Sequence, residues 1–581
     1  NSYGIYIKNG IIKNYGTINI SGTGSVGIRN KDGKDENGNR ITEADLAAAN
    51  INASNGANAY VNASSASTQP AIAGSTMISP SGVVTIGGKV IPLHDLTPGP
   101  NPVVNQNYAF SNVGIYIDTL GRTRPINWVD GFNPSIDNDL IIGAEAAELS
   151  TSKAIKIGKN IMSPYLNQYQ SLTTGSSVTL NAISGSLTWT AQPISGPSGL
   201  PEEVIMAKIP YTDFVTKQEN AWNFADGLEQ RYGVEPVGSR EKEVFNKLNS
   251  IGKNERVLLT QAYDEMMGHQ YANTQQRVYT TGSILNTEFD YLRNEWRTAS
   301  KDSNKIKTFG NKGEYKTDTA GVIDYKYNAY GVAYVHEDED IKLGKGIGWY
   351  TGIVHNTFKF KDIGNSKEKQ LQVKVGLLKS VPFDDNNSLN WTISGDIFAG
   401  YNKMHRKFLV VNEIFNARSR YYTYGIGLKN ELAKEFRLSE SFVLRPYGAL
   451  RLEYGKISKI REKSGEIKLE VKNTDYVSIK PELGVQLGFK HFFGRRLFTT
   501  TLGVAYENEL GRIANAKNKG RVADTTADWF NIRGDKEDRK GNVKTDLTFG
   551  LDNTRVGVTA NVGYDTKGEN LRGGVGLRVI F

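Results

Sequence analysis

The 581-residue chain contains no cysteine. Disulfide frameworks, thiol nucleophiles and thiolate metal sites are therefore excluded. The lack also suits passage through an oxidising compartment, where stray thiols are a liability. Long apolar runs are missing too: nowhere does the sequence hold the roughly 20 consecutive apolar residues of a transmembrane helix. A β-barrel, which crosses a membrane on alternating residues, is not excluded by that test. The chain opens on Asn1, with no initiator methionine and no basic-then-apolar leader, so a processed or excised portion is expected, with any export signal upstream.

Reactive constellations are equally sparse. The six histidines, His94, His269, His336, His355, His405 and His491, are scattered, with no HExxH and no pair at ligand spacing. No GxSxG, no Ser/His/Asp grouping and no nucleotide-binding glycine loop occurs. No enzyme activity, metal or cofactor is expected of this chain. The acidic "HEDED" at 336–340 reads as a solvated cluster in a short turn. Charge is unevenly placed: residues 1–200 hold 12 basic and 12 acidic residues, while 201–581 hold 58 and 49 and carry the whole net charge of +9. Both signs interleave there, which argues against a nucleic-acid partner.

What is present is glycine, tyrosine and alternation. Residues 1–200 are rich in Gly, Asn, Ser, Thr and Ile, in short β-branched segments separated by Gly or Asn turns. "GIYIKN" at 4–9 returns as "GIYIDT" at 114–119. Short strands with Asn/Gly corners read as coils of a parallel β-helix. Residues 30–80 read as a poorly ordered insertion off one coil, and 177–190 as a terminal capping sheet.

Residues 201–300 change period to that of helices. Ser239 is an N-cap candidate followed by Glu241 and Glu243, with Val244, Leu248 and Ile251 at helical spacing. A second helix is expected from Asn254. A third carries the seam Leu285, Phe289, Leu292 and Trp296 at i, i+4, i+7 and i+11.

From 301 to 581 the period is two. Twelve strands are expected, near 304–311, 323–335, 346–360, 369–380, 388–401, 420–433, 441–456, 475–490, 497–508, 543–551, 554–564 and 570–581. The seventh sets Phe442, Leu444, Leu450, Leu452 and Tyr454 against Arg445, Tyr447, Arg451 and Glu453. The eighth sets Val477, Ile479, Leu483 and Val485 against Lys480 and Glu482, and the eleventh sets Val556 and Val558 against Arg555. In the last strand Leu571, Val575, Leu577, Val579 and Phe581 oppose Arg572 and Arg578. Two sheets facing a common core would not bury Arg, Lys and Glu repeatedly. A closed antiparallel barrel with lipid outside and a polar lumen accounts for both faces. The connections then alternate: long at 402–419, 457–474 and 509–542, short at 436–440 and 552–553. Trp349, Tyr350, Phe358, Phe360, Tyr421, Tyr422 and Tyr424 read either as interfacial girdles or as ordinary strand filling. "RGD" at Arg533, Gly534 and Asp535 falls in the longest connection, as a candidate surface-loop adhesion motif.

The order of these parts resembles the type Va autotransporters of Gram-negative bacteria (type V secretion). The phrases "NFADGLEQRYGV", "EKEVFNKLNSIGKNE", "QAYDEMMGHQYANTQQR", "TDTAGVIDYKYNAYGVAYVHE", "RPYGALRLEYGKI" and "VGYDTKGENLRGGVGLRVIF" bring it nearest to the large fusobacterial outer-membrane autotransporter adhesins. The resemblance implies a mainly-β protein: the C-terminal part of a β-helix passenger at the cell surface (1–200), a helical linker and pore-plug region (201–300) and a 12-stranded translocator in the outer membrane (301–581). It implies that one helix, ending near Trp296, occupies the lumen. The lumen charges Arg445, Arg451, Glu453, Lys480, Glu482, Arg555, Arg572 and Arg578 would lie around it, some pairing with Glu288, Asp290, Arg293 or Glu295. It implies recognition of the terminal strand, Leu571 to Phe581, by the barrel-assembly machinery, with periplasmic chaperones and outer-membrane lipid as further partners. It implies a passenger that binds a bacterial or host cell-surface ligand, a role in virulence. The readings left open beside it are a porin-like channel with an N-terminal plug and a carrier for an enzymatic passenger upstream of Asn1.

Overall fold

The computed structural model describes 113–123, 137–172, 179–217, 219–294, 303–337, 347–384, 388–553, 555–580 and the short strands between Tyr3 and Pro92. It divides into two units, 1–215 with 231–261, and 216–230 with 262–581.

In the first unit the strands pair in parallel. Tyr3–Ile7, Val26–Asn30 and Asn58–Asn62 form one three-stranded sheet, and Thr17–Ser21 pairs with Asn50–Ser54. Residues 50–54 and 58–62, expected to belong to an insertion, are thus members of the parallel stacks. Val113–Ile117, Asp137–Ile142 and Thr179–Ser184 form another parallel sheet, with Ile117, Leu140 and Ile142 buried. The repeated hexapeptides supply an edge strand to each three-stranded stack. An antiparallel sheet of Ala154–Ile157, Pro201–Lys208 and Trp189–Ser195 follows. The strand at 201–208 lies where helix was expected: its Val204 and Met206 are buried at alternate positions, a period of two. Helix α1 is Lys159–Leu172. Helix α3, Arg240–Asn249, begins as expected: the Ser239 hydroxyl accepts from the Lys242 amide at 3.1 Å, and Val244, Leu248 and Ile251 are buried.

The second unit contains α2 (Asn220–Arg231), the end of α4 (Arg256–Met266), and α5 (Thr274–Asn294). Gly268, at φ +79°, breaks the helical path between α4 and α5; a Cβ there would come within 2.6 Å of Leu469 Cδ1. Twelve antiparallel strands follow: β1 (Ser303–Tyr315), β2 (Tyr325–Glu337), β3 (Gly348–Phe360), β4 (Lys367–Pro382), β5 (Leu389–Val410), β6 (Glu413–Lys434), β7 (Phe442–Ile457), β8 (Tyr476–Phe493), β9 (Arg496–Glu507), β10 (Asn542–Asn553), β11 (Val556–Asp565) and β12 (Asn570–Ile580). β12 pairs with β1 from Leu571↔Lys312 to Ile580↔Ser303, which closes the sheet into a barrel. Each strand expected from the sequence is present.

The burial pattern is the reverse of that in a water-soluble globule. Along β4, Glu368, Gln370, Gln372 and Lys374 are buried while Leu371, Val373, Val375 and Leu377 are exposed. Leu483 is 68% exposed, and Val556, Leu577 and Val575 are exposed too. So wide an apolar exterior requires a partner of its own kind, and a bilayer supplies it. The aromatic residues left open between two readings divide by parity. Trp349, Tyr422 and Tyr424 face outward, while Tyr350, Phe358, Phe360 and Tyr421 are buried inside.

Two of the long connections differ from expectation. Residues 402–419 are not a loop: β5 and β6 continue as a hairpin to a tip at Val411 and Asn412. The connections 457–474 and 509–542 contain four short strands, Ile460–Gly465, Leu469–Lys472, Lys517–Val522 and Phe530–Arg533, paired into a small sheet beyond the barrel rim. Helix α2 packs on it through Phe224 against Phe530, ring centroids 5.7 Å apart, and through Gly227 against Val522. The opposite rim has the short turns, among them Gly494–Arg495.

Candidate functional site

The site is the bore, and α5 fills it. Apolar residues four and three apart give the helix one greasy stripe. Leu285, Phe289 and Leu292 are all buried. The stripe rests where the wall has little side chain: a Cβ at Gly352 would meet Leu285 Cδ2 at 2.8 Å and Phe289 Cζ at 3.0 Å. Phe289 also lies 4.7 Å from the Tyr350 ring, centroid to centroid. Trp296 and Glu295 lie outside the described residues.

The remaining faces of α5 are polar, and the wall answers them from one rim to the other. At the rim of long connections, Gln275 Nε2 donates to Asn518 Oδ1 and to the Thr474 carbonyl, each at 2.7 Å. Arg277 pairs with Glu368 on β4 and donates to the Gln270 carbonyl at 2.9 Å. One turn on, the Thr281 hydroxyl donates to Gln370 Oε1 at 2.6 Å and accepts from Asn356 at 3.1 Å. Midway, Lys374 Nζ donates to Asn286 Oδ1 at 2.8 Å and to Glu453 Oε2 at 2.9 Å. Lower still, Glu288 meets Lys307 and Asp290 meets Lys429, each at 2.8 Å. Arg293, in the last turn, lies 3.9 Å from Glu337. Glu337 is therefore not part of a solvated turn, as "HEDED" suggested: it ends β2 and also holds Lys305 at 3.2 Å. Buried charge is tolerated only when paired and hydrogen-bonded in this way.

Seven of the eight expected lumen charges face the bore. Arg451 binds Asp396 at 2.8 Å and Glu453 at 3.0 Å; Arg445 binds Glu431. Lys480 lies 3.4 Å from Glu507, Glu482 meets Lys544 at 2.8 Å, and Arg578 meets Asp552 at 3.0 Å. Arg572 binds Asp546 at 2.6 Å and donates to the Tyr291 hydroxyl at 2.6 Å. Arg555 does not join them. β10 runs on to Asn553, which leaves Arg555 exposed in the turn before β11. The pairing also differs from expectation: these charges pair mainly along the wall, while the carboxylates of α5 use Lys307 and Lys429. No spacing rule reveals such partners, because closure unites strands far apart in sequence.

Beside α5, between β7–β10 and the helix, a cavity of about 60 Å³ is lined by Asp290, Tyr291, Tyr447, Glu482, Lys544 and Asp546. It has room for about four waters, far less than an open channel. Among the described residues no cluster of His, Asp and Glu could hold a metal ion. The RGD triplet is built into the rim. Asp535 is buried and accepts from the Tyr315 hydroxyl at 2.8 Å and from Thr319; its amide donates to Asn273. Burial works against its charge, but the hydrogen bonds from Thr317, Thr319 and Tyr315 hold its pKa below the usual range. A Cβ at Gly534 would lie 2.2 Å from the Ala514 carbonyl. Of the three, only Arg533 is freely exposed. Val575 and Leu577 on β12 face outward and Arg572 and Arg578 inward, as alternation requires; Phe581 lies outside the described residues.

A closed twelve-stranded barrel, apolar outside and blocked by a helix of its own chain, defines the class of outer-membrane translocator barrels. Residues 305–563 match the family described as "Autotransporter beta-domain", so this part of the chain is an autotransporter β-domain, a barrel of the outer membrane. Among solved structures it is similar to the translocator domain of autotransporter NalP from Neisseria meningitidis, at 14% identity and a TM-score of 0.41, over 54% of this chain and 100% of that one. It is similar also to the transport unit of the autotransporter AIDA-I from Escherichia coli, at 12% identity and a TM-score of 0.34, over 54% and 100%. No curated protein sequence matches it.

Proposed function

We propose that this chain anchors and assists export of its own N-terminal part, and that this part is a β-helix passenger acting as a surface adhesin toward other bacteria or host cells. The observation that carries the proposal is the path of α5. It enters beside Thr474 and Asn518 at the rim of long connections and ends beside Glu337 and Lys305, where β1 begins. A chain that arrives from outside must descend through the bore before its first strand can start, and the same helix then seals the route.

The mechanism is physical. Strand closure satisfies the backbone polar groups, and burial of the apolar exterior in lipid drives assembly. The parallel stacks before residue 200 support progressive folding as the passenger emerges, each strand resting on the last. The β-domain itself is not catalytic; an enzymatic segment upstream of Asn1 would be carried by the same device. Recognition of β12 by the barrel-assembly machinery, with escort by periplasmic chaperones, belongs to the same proposal. Protease treatment of intact cells tests it: residues 1–200 should be lost from the surface while the barrel survives. Protection of 1–200 until the outer membrane is opened would favour a channel with a periplasmic plug.

A further inference from the structure

The outward face of β2–β6 changes character abruptly toward the rim of long connections. On β4 the outward residues run Leu377, Val375, Val373, Leu371 and then Lys369, Lys367. Neighbouring strands change at the same register. Tyr330, His355, Leu371, Tyr401 and Tyr422 stand opposite one another across five strands. Two residues further out, Lys369, Lys403 and Arg420 are cross-strand partners. Two further still, Lys326, Lys359, Lys367, His405 and Arg418 form a second row. All but His405 are exposed.

Sheet stability does not explain these rows, because like charges directly opposite one another destabilise a pair of strands. Nor do ion pairs. Lys326 reaches Glu314 only at 3.9 Å, and Lys359, Lys367, Lys369, Lys403, Arg418 and Arg420 have no salt bridge among the described residues. At the other end the same strands present Trp349 and Trp391 outward.

We propose that this face is a docking surface for the phosphate groups of an acylated glycolipid in the outer leaflet. The chemistry requires several anions, spaced like strands about 5 Å apart and held where acyl chains give way to headgroups. One molecule with acyl chains along Leu371–Val375 and phosphates on Lys369, Lys403 and Lys359 satisfies both halves of the surface. A soluble anion would use only the outer half.

The test uses the full chain folded in detergent and native mass spectrometry. The probes are a bis-phosphorylated, acylated glucosamine disaccharide, the same glycolipid dephosphorylated, and inorganic phosphate. The wild-type chain should bind the phosphorylated glycolipid at least tenfold more tightly than the dephosphorylated one. Lys359→Gln/Lys367→Gln/Lys369→Gln/Lys403→Gln should abolish that difference, and the same four positions changed to Arg should keep it. Barrel integrity is checked by resistance to SDS before heating. Equal binding of the two glycolipids, an unchanged preference in the four-Gln variant, or displacement by equimolar inorganic phosphate would each overturn the proposal.

Discussion

Lys307 and Glu288 meet at 2.8 Å with both side chains almost wholly withdrawn from solvent. Each charge is acceptable only because the other is there. Removal of one partner from such a pair costs about 3–5 kcal/mol, because the survivor stays buried and unanswered. Glu288→Gln should therefore loosen α5 in the bore and raise single-channel conductance in a planar bilayer, while Lys307→Met/Glu288→Leu should return it toward wild type. Lys242 makes a different prediction. Its ammonium donates to the Ala147 carbonyl at 2.7 Å, and burial pushes its pKa down to about 8. The unfolded chain holds that proton up to about pH 10.4, so between these values the unfolded state binds more protons and folded stability rises with pH. Below about pH 8 the cost of burying the charge is fully present. The denaturation midpoint of the N-terminal part, followed in the full chain, should climb from pH 7.5 to 10, and Lys242→Met should flatten the climb.

At the scale of elements, the glycines of the wall matter as much as its charges. Gly352 leaves the hollow that Leu285 and Phe289 occupy. Gly352→Leu should displace α5 without opening the barrel: conductance rises, yet the folded band on an unheated gel persists. A loss of both would mean that the residue serves the wall alone. The twelve strands were legible in the sequence because lipid demands an apolar residue at every second position, and Leu371, Val373, Val375 and Leu377 obey it. The far halves of β5 and β6 were not legible. Beyond the membrane no such demand applies, so Lys403, Arg418 and Arg420 outward and Asn402 and Arg406 inward read as loop. The seam of α5 was legible for the same reason as the strands, its contact with an apolar surface. Its polar partners were hidden: Arg277–Glu368 and Asp290–Lys429 join residues 91 and 139 positions apart, and only ring closure brings them together.

At the scale of the molecule, everything depends on a cylinder whose outside is apolar and whose inside is wet. The absence of cysteine makes that claim easy to probe, since every introduced thiol is unique. The decisive measurement is spin-label accessibility along β8 in lipid vesicles, with Leu483→Cys, Gly484→Cys, Val485→Cys, Gln486→Cys and Leu487→Cys examined one at a time. Labels at 483, 485 and 487 should be relaxed by oxygen dissolved in the bilayer, and labels at 484 and 486 should be shielded from it. Uniform accessibility, or an alternation of the opposite phase, would contradict the account.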